Sequence, residues 1–181
     1  MKRLMFVLVI VALAVPLAAQ EKTEVFGFFD NPGLRYSSVE GSSASSGYGA
    51  SLRYFMTPRF SAELSIARHD RDVVAYDVSN PGAPVLLADY RVKAVPIDLI
   101  SSYHFATDNR WKPYLGLGLH YLSVSGAPDA HSKLGLQLAG GVAFNVSQHF
   151  FLRADGRLLP NHNTQRYEDQ SRLLLGLGWR F

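Results

Sequence analysis

The residues that could do chemistry in this chain of 181 residues are six histidines and a scattered set of arginines and carboxylates, with no cysteine among them. Without a thiol there is no cysteine nucleophile, no disulfide framework, no Cys-ligated metal or cluster and no lipidated cysteine. His69, His104, His120, His131, His149 and His162 do not pair at i, i+2 or i, i+4 with another histidine or with a glutamate. Those spacings are what a strand or a helix needs to converge two ligands on one ion, so no metal site and no cofactor is expected. A nucleophilic relay lacks its parts as well. PNHNTQRYED (160–169) holds His162 and Glu168, but no serine stands two positions after that histidine, and His131-Ser132 are adjacent. A serine–histidine relay needs the two side chains within hydrogen-bond reach, so no catalytic residue is assigned.

That leaves the charges. Arg53, Glu63, Asp98, Arg153 and Asp155 form a set of mixed sign, which lines an ion path or closes on itself as a plug of salt bridges. Pairing is the default, because an unpaired buried charge is expensive. Their role depends on which way they face, and so on the elements that carry them.

Residues 1–20, MKRLMFVLVIVALAVPLAAQ, show a basic start (Lys2, Arg3), an apolar run and small residues at Ala18 and Ala19. The run is shorter than the ~20 residues of a spanning helix, and the pattern reads as a signal peptide. Without Lys2 and Arg3 the formal charge falls from +3 to +1, and no basic patch suggests nucleic acid. Residues 21–181 then alternate with period two. Large apolar residues recur at Tyr48, Ala50, Leu52 and Tyr54; at Phe60, Ala62, Leu64 and Ile66; at Ile97, Leu99, Tyr103 and Phe105; and at Leu115, Leu117, Leu119 and Tyr121. They continue through Leu134, Leu136 and Leu138, through Phe150, Leu152 and Ala154, and through Leu173, Leu175, Leu177, Trp179 and Phe181. Period two is the strand signature. With a short strand near Glu24–Phe29, of ambiguous facing, the expectation is eight strands.

Connections alternate in length. Those after Phe55, Phe105 and Phe144 are short; those over 30–45, 69–90, 123–133 and 160–170 are long and polar. This is the meander of a barrel with one end facing the periplasm. The fold expected is all-β: an eight-stranded antiparallel up-and-down transmembrane β-barrel in the outer membrane. The second face of the strands decides which side meets lipid. It carries Gly116, Gly118, Gly135, Gly141, Gly176 and Gly178, and every cation on it is arginine. Small residues fit the crowded interior of a narrow barrel, and arginine forks pair carboxylates in confined space. Aromatics point the same way. Phe55, Phe60, Phe105, Trp111, Tyr114, Phe144, Phe150, Phe151, Trp179 and Phe181 gather near the short turns, and Tyr48, Tyr90, Tyr121 and Tyr167 near the long loops, as interfacial girdles do. The apolar rows should therefore meet lipid. Leu117→Arg should cost about 2–4 kcal/mol, with Gly116→Ser milder.

VPIDLISSYHFATDNRWKPYLGLGLHYL (95–122) resembles the middle of the OmpW family of small outer-membrane barrels, through Pro96, Tyr103-His104-Phe105, and Pro113-Tyr114 with Gly116 and Gly118. The ending LLLGLGWRF resembles the terminal signal that the outer-membrane assembly machinery reads, with Trp179 and Phe181 as its aromatics. The resemblance implies an eight-stranded barrel with a narrow lumen that hands small hydrophobic solutes from outside into the membrane through a lateral opening. The alternative is a closed-lumen structural or adhesin-like barrel. The segment 69–90 is more apolar than an idle loop needs. It either folds over the mouth or extends strands above the membrane, as a way in for apolar solutes or as an adhesive surface.

Overall fold

The computed structural model describes residues 23–32, 46–77, 85–105, 110–126, 132–159 and 171–181, with backbone alone at 32, 71–77 and 85–90. The leader at 1–20, His131, His162, Glu168 and Tyr167 lie outside the described residues.

Eight strands follow in chain order: β1 (Thr23–Pro32), β2 (Gly47–Phe55), β3 (Phe60–Asp77), β4 (Val85–His104), β5 (Trp111–Ser125), β6 (Lys133–Asn145), β7 (Phe150–Leu158) and β8 (Ser171–Arg180). Each pairs antiparallel with the next, and β1 pairs with β8, so the sheet closes into a barrel. Closure removes the sheet edges, which in hydrocarbon would leave backbone N–H and C=O groups without partners.

The two faces separate as the alternation demands. Leu64 is 54% exposed, Leu117 58% and Leu175 49%, whereas Arg53 is 2% and Arg157 0%. Leucine rows therefore cover the outside. The inside holds charges, small residues and a few rings. At the short-turn end, Phe60, Phe105, Trp111, Phe150, Trp179 and Phe181 are exposed. Several pack edge to face or tilted, as Phe150 on Trp179 at 4.9 Å and Trp111 on Phe144 at 4.6 Å. At the long-loop end Phe29 and Tyr48 stand outward, opposite each other in register.

One expectation changes and two open readings are decided. Tyr114 and Phe151 are not girdle residues: they are 3% and 1% exposed and fill the lumen, because strand parity turns them inward. The facing of β1 is settled, with Glu24, Phe26, Phe28 and Asp30 buried and Gly27 and Phe29 exposed. Phe26 stacks on Phe28 at 5.3 Å and on Phe151 at 6.3 Å, which carries this short strand's rings into the barrel. Finally, 69–90 is mostly strand. Register runs from Asp70↔Lys93 to Asp77↔Val85, with an irregularity at Ala75/Tyr76. Val73, Val74, Tyr76 and Val85 are β-branched or aromatic, types that favour extended backbone. The hairpin thus rises above the barrel, one of the two forms open to it.

Candidate functional site

The strand parity that sends leucine outward sends Arg53 on β2, Glu63 on β3, Asp98 on β4, and Arg153 and Asp155 on β7 into one lumen. The structure brings these five together. Arg53 Nη2 lies 2.6 Å from Glu63 Oε2, Arg153 Nη2 lies 2.7 Å from Glu63 Oε1, and Arg153 also pairs with Asp155 at 2.6 Å. Asp98 joins through Arg157, which donates to it and also reaches Glu63 at 3.0 Å.

The network extends in both directions along the barrel. Towards the short turns, Arg53 lies 3.8 Å from Glu24, and Glu24 pairs with Arg180 at 2.5 Å. Towards the mouth, Arg172 Nη1 reaches Asp98 at 2.9 Å and its fork also holds Asp30. Asp30 meets His69 Nε2 at 2.9 Å, and Asp98 meets His120 Nδ1 at 2.5 Å. Guanidinium groups also lie over rings, among them Arg53 at 4.4 Å from Tyr114 and Arg153 at 4.0 Å from Phe26. The result is a run of ion pairs from Arg180 to Asp30, which His69 extends by a hydrogen bond. Glu24, Glu63, Asp98 and Asp155 are each shared between two or more arginines, so burial is offset by several charge-assisted hydrogen bonds at once.

His104 and His120 both face the lumen but do not meet. His104 hydrogen-bonds Ser61 Oγ at 2.9 Å near the short turns, whereas His120 belongs to the Asp98 cluster. Of the members absent from the five-residue set, Arg157 and Arg172 share the inward parity and were readable from it. Glu24 and Asp30 were hidden by the uncertain facing of β1. His69 falls where a loop was expected to begin.

Above Asp98 the inner wall changes character. Ala67, Val92, Pro96 and Leu122 are buried there, an apolar stretch on β3, β4 and β5 that His69 interrupts on β3. Beside it the β3–β4 ladder is interrupted. Ile66 pairs with Ile97 and His69 with Ala94, but no pairing joins Ala67 and Arg68 to Val95 and Pro96. Proline has no N–H to give the ladder. The other side of β4 stays paired there, with Pro96 opposite Leu122.

The outer membrane protein beta-barrel domain family matches residues 6–181. No curated relative matches the chain. Among solved structures, it is similar to the outer membrane protein OprG from Pseudomonas aeruginosa, with 16% identity over 88% of this chain and 95% of that one, at a TM-score of 0.65. It is similar to neisserial surface protein A, with 20% identity over 88% of this chain and 96% of that one, at a TM-score of 0.54. A third likeness is to Ail, the attachment invasion locus protein of Yersinia pestis, solved with the heparin analogue sucrose octasulfate. That match has 18% identity over 88% of this chain and 97% of that one, at a TM-score of 0.51. At these identities the structures speak for the shared barrel, with which the OmpW resemblance is consistent.

Proposed function

We propose, for a chain that belongs to the outer membrane protein beta-barrel domain family and lies in the outer membrane, that it hands small hydrophobic solutes from the outside into the bilayer through its wall. The observation that carries this reading is the interrupted β3–β4 ladder at Pro96, where Ala67 and Leu122 line the inner wall between Asp98 below and His69 above, with Val92 beyond. Below Asp98 a solute would have to displace paired arginines and carboxylates. Beside Pro96 it would need only to separate β3 from β4 where they share no backbone pairing across two residues. The rising β3–β4 hairpin supplies further apolar residues above that point.

A second reading is supported by the network itself. Ion pairs that fill the lumen suit a closed barrel whose work is done by its surface, and the hairpin would then be a contact element. Trp179 and Phe181 are both exposed, and in either case we propose them as aromatics read by the assembly machinery.

The experiment is flux into vesicles carrying the refolded chain. Wild type should speed the transfer of a small apolar solute while adding no ion conductance over bare vesicles. Pro96→Val restores an N–H and should reduce the transfer towards the protein-free rate. Equal transfer by the two proteins would refute lateral passage at this point, and absence of transfer by wild type would favour the closed, surface-acting barrel.

A further inference from the structure

Asp30 on β1, Gly47 on β2 and His69 on β3 stand directly opposite one another, one row across three strands of the inner wall. Asp30 and His69 are buried, and the position between them has no side chain. The imidazole takes that place. A Cβ at Gly47 would stand 2.7 Å from His69 Cδ2 and 2.9 Å from Nε2, with the backbone oxygen of Arg68 also at 2.7 Å. Lying over Gly47, the ring brings Nε2 within 2.9 Å of Asp30 Oδ2.

Asp30 is itself fixed from a fourth strand. Arg172 Nε on β8 donates to its Oδ2 at 3.0 Å, and Arg172 Nη1 is anchored on Asp98 at 2.9 Å. The imidazole is thus drawn towards β1 by a carboxylate whose place the ion-pair network sets.

Direction matters because of what stands on the other side of His69. Its register partner there is Ala94 of β4, with buried Val92 and Pro96 two positions to either side and Leu122 of β5 opposite Pro96. Neighbouring strands lie about 4.8 Å apart, so a ring long enough to cover β2 is long enough to cover β4. Turned that way it would lie on the apolar wall, beside the residues where β3 and β4 share no pairing. The side chains of Val92, Ala94 and Pro96 offer it no hydrogen-bond partner, and a buried imidazole that left Asp30 would lose one. On the reading that solutes leave through the β3–β4 break, we infer that Gly47 and Asp30 are positioning residues: they park the His69 ring over β2 and keep the way to the break clear.

The test reads ring position and transfer together. In the refolded full chain carrying labelled histidine, nuclear Overhauser contacts from the His69 ring should reach Gly47 Hα. In Asp30→Ala, which leaves Arg172 on Asp98, they should pass to the methyls of Val92 or Ala94. Gly47→Ala should displace the ring in the same direction, and heat-dependent gel mobility checks that each variant is folded. In vesicles each variant should slow transfer of a small apolar solute roughly fivefold, since loss of a hydrogen bond to a charged group shifts a two-position equilibrium by about tenfold or more. Adding His69→Ala to either variant should restore the wild-type rate. A wild-type ring without contacts to Gly47, a displaced ring with unchanged transfer, or slowing that His69→Ala does not relieve would overturn the inference, even where Pro96→Val abolishes transfer and so upholds the passage itself. Absence of transfer by wild type would instead overturn the passage, and the positioning role with it.

Discussion

Glu63 shows how a buried charge is tolerated at the centre of this barrel. Its two oxygens accept from Arg53, Arg153 and Arg157, so one carboxylate keeps three guanidinium groups from facing one another unscreened. Glu63→Gln should destabilise the refolded barrel by about 3–5 kcal/mol in urea unfolding, because it leaves buried cations without their counter-charge. Glu63→Asp should cost less, and an unchanged unfolding midpoint in the glutamine variant would contradict the pairing. The charges were legible in the sequence because strand parity alone places them. The small residues between them were not. Gly116→Ser is mild if glycine is only a space-saver in a narrow lumen. In the structure a Cβ at Gly116 would stand 2.7 Å from Ser102 Oγ and 2.9 Å from the Ser101 backbone oxygen. The substitution should therefore cost about 1–3 kcal/mol as overpacking, measured by the same unfolding experiment. Gly178 makes the same point, since the ring of Phe151 occupies the place of its missing side chain. A sequence shows that a glycine faces inward, but not which ring lies over it.

At the scale of the strand, alternation was readable wherever leucine occupied every second position, as on β5, β6 and β8. It failed where apolar residues were consecutive. Phe26, Phe28 and Phe29 left the facing of β1 open until the packing of Phe26 on Phe151 decided it. It failed again over 69–90, where Asp70, Asp72 and Pro81 read as loop while Val73 and Val74 built strand. β3 and β4 run to 18 and 20 residues, well beyond the ~9–11 that a tilted strand needs to cross a bilayer. The upper end of this hairpin therefore lies outside the membrane and contributes little to closure below Ile66 and Ile97. Deleting Asp77–Leu87 should leave gel mobility and the thermal midpoint of the barrel near their wild-type values. A large fall in that midpoint would mean that the hairpin holds the barrel together.

At the scale of the molecule, two opposite solvents explain the pattern. Lipid accepts the leucine rows and requires that every backbone group find its partner within a closed sheet. The lumen, too narrow at ~8 strands for a water column, requires that its charges find partners in one another. The central claim is that the leucine side of each strand meets acyl chains while the arginine side meets itself. The chain lacks cysteine, so single labels report cleanly. The direct measurement is spin-label accessibility in lipid vesicles at Leu136→Cys, beside Gln137→Cys as the inward comparison. The expected result is strong relaxation by oxygen and little by a water-soluble nickel complex at 136, with weak relaxation by oxygen at 137. A label at 136 that is relaxed by the nickel complex and sheltered from oxygen would contradict the account.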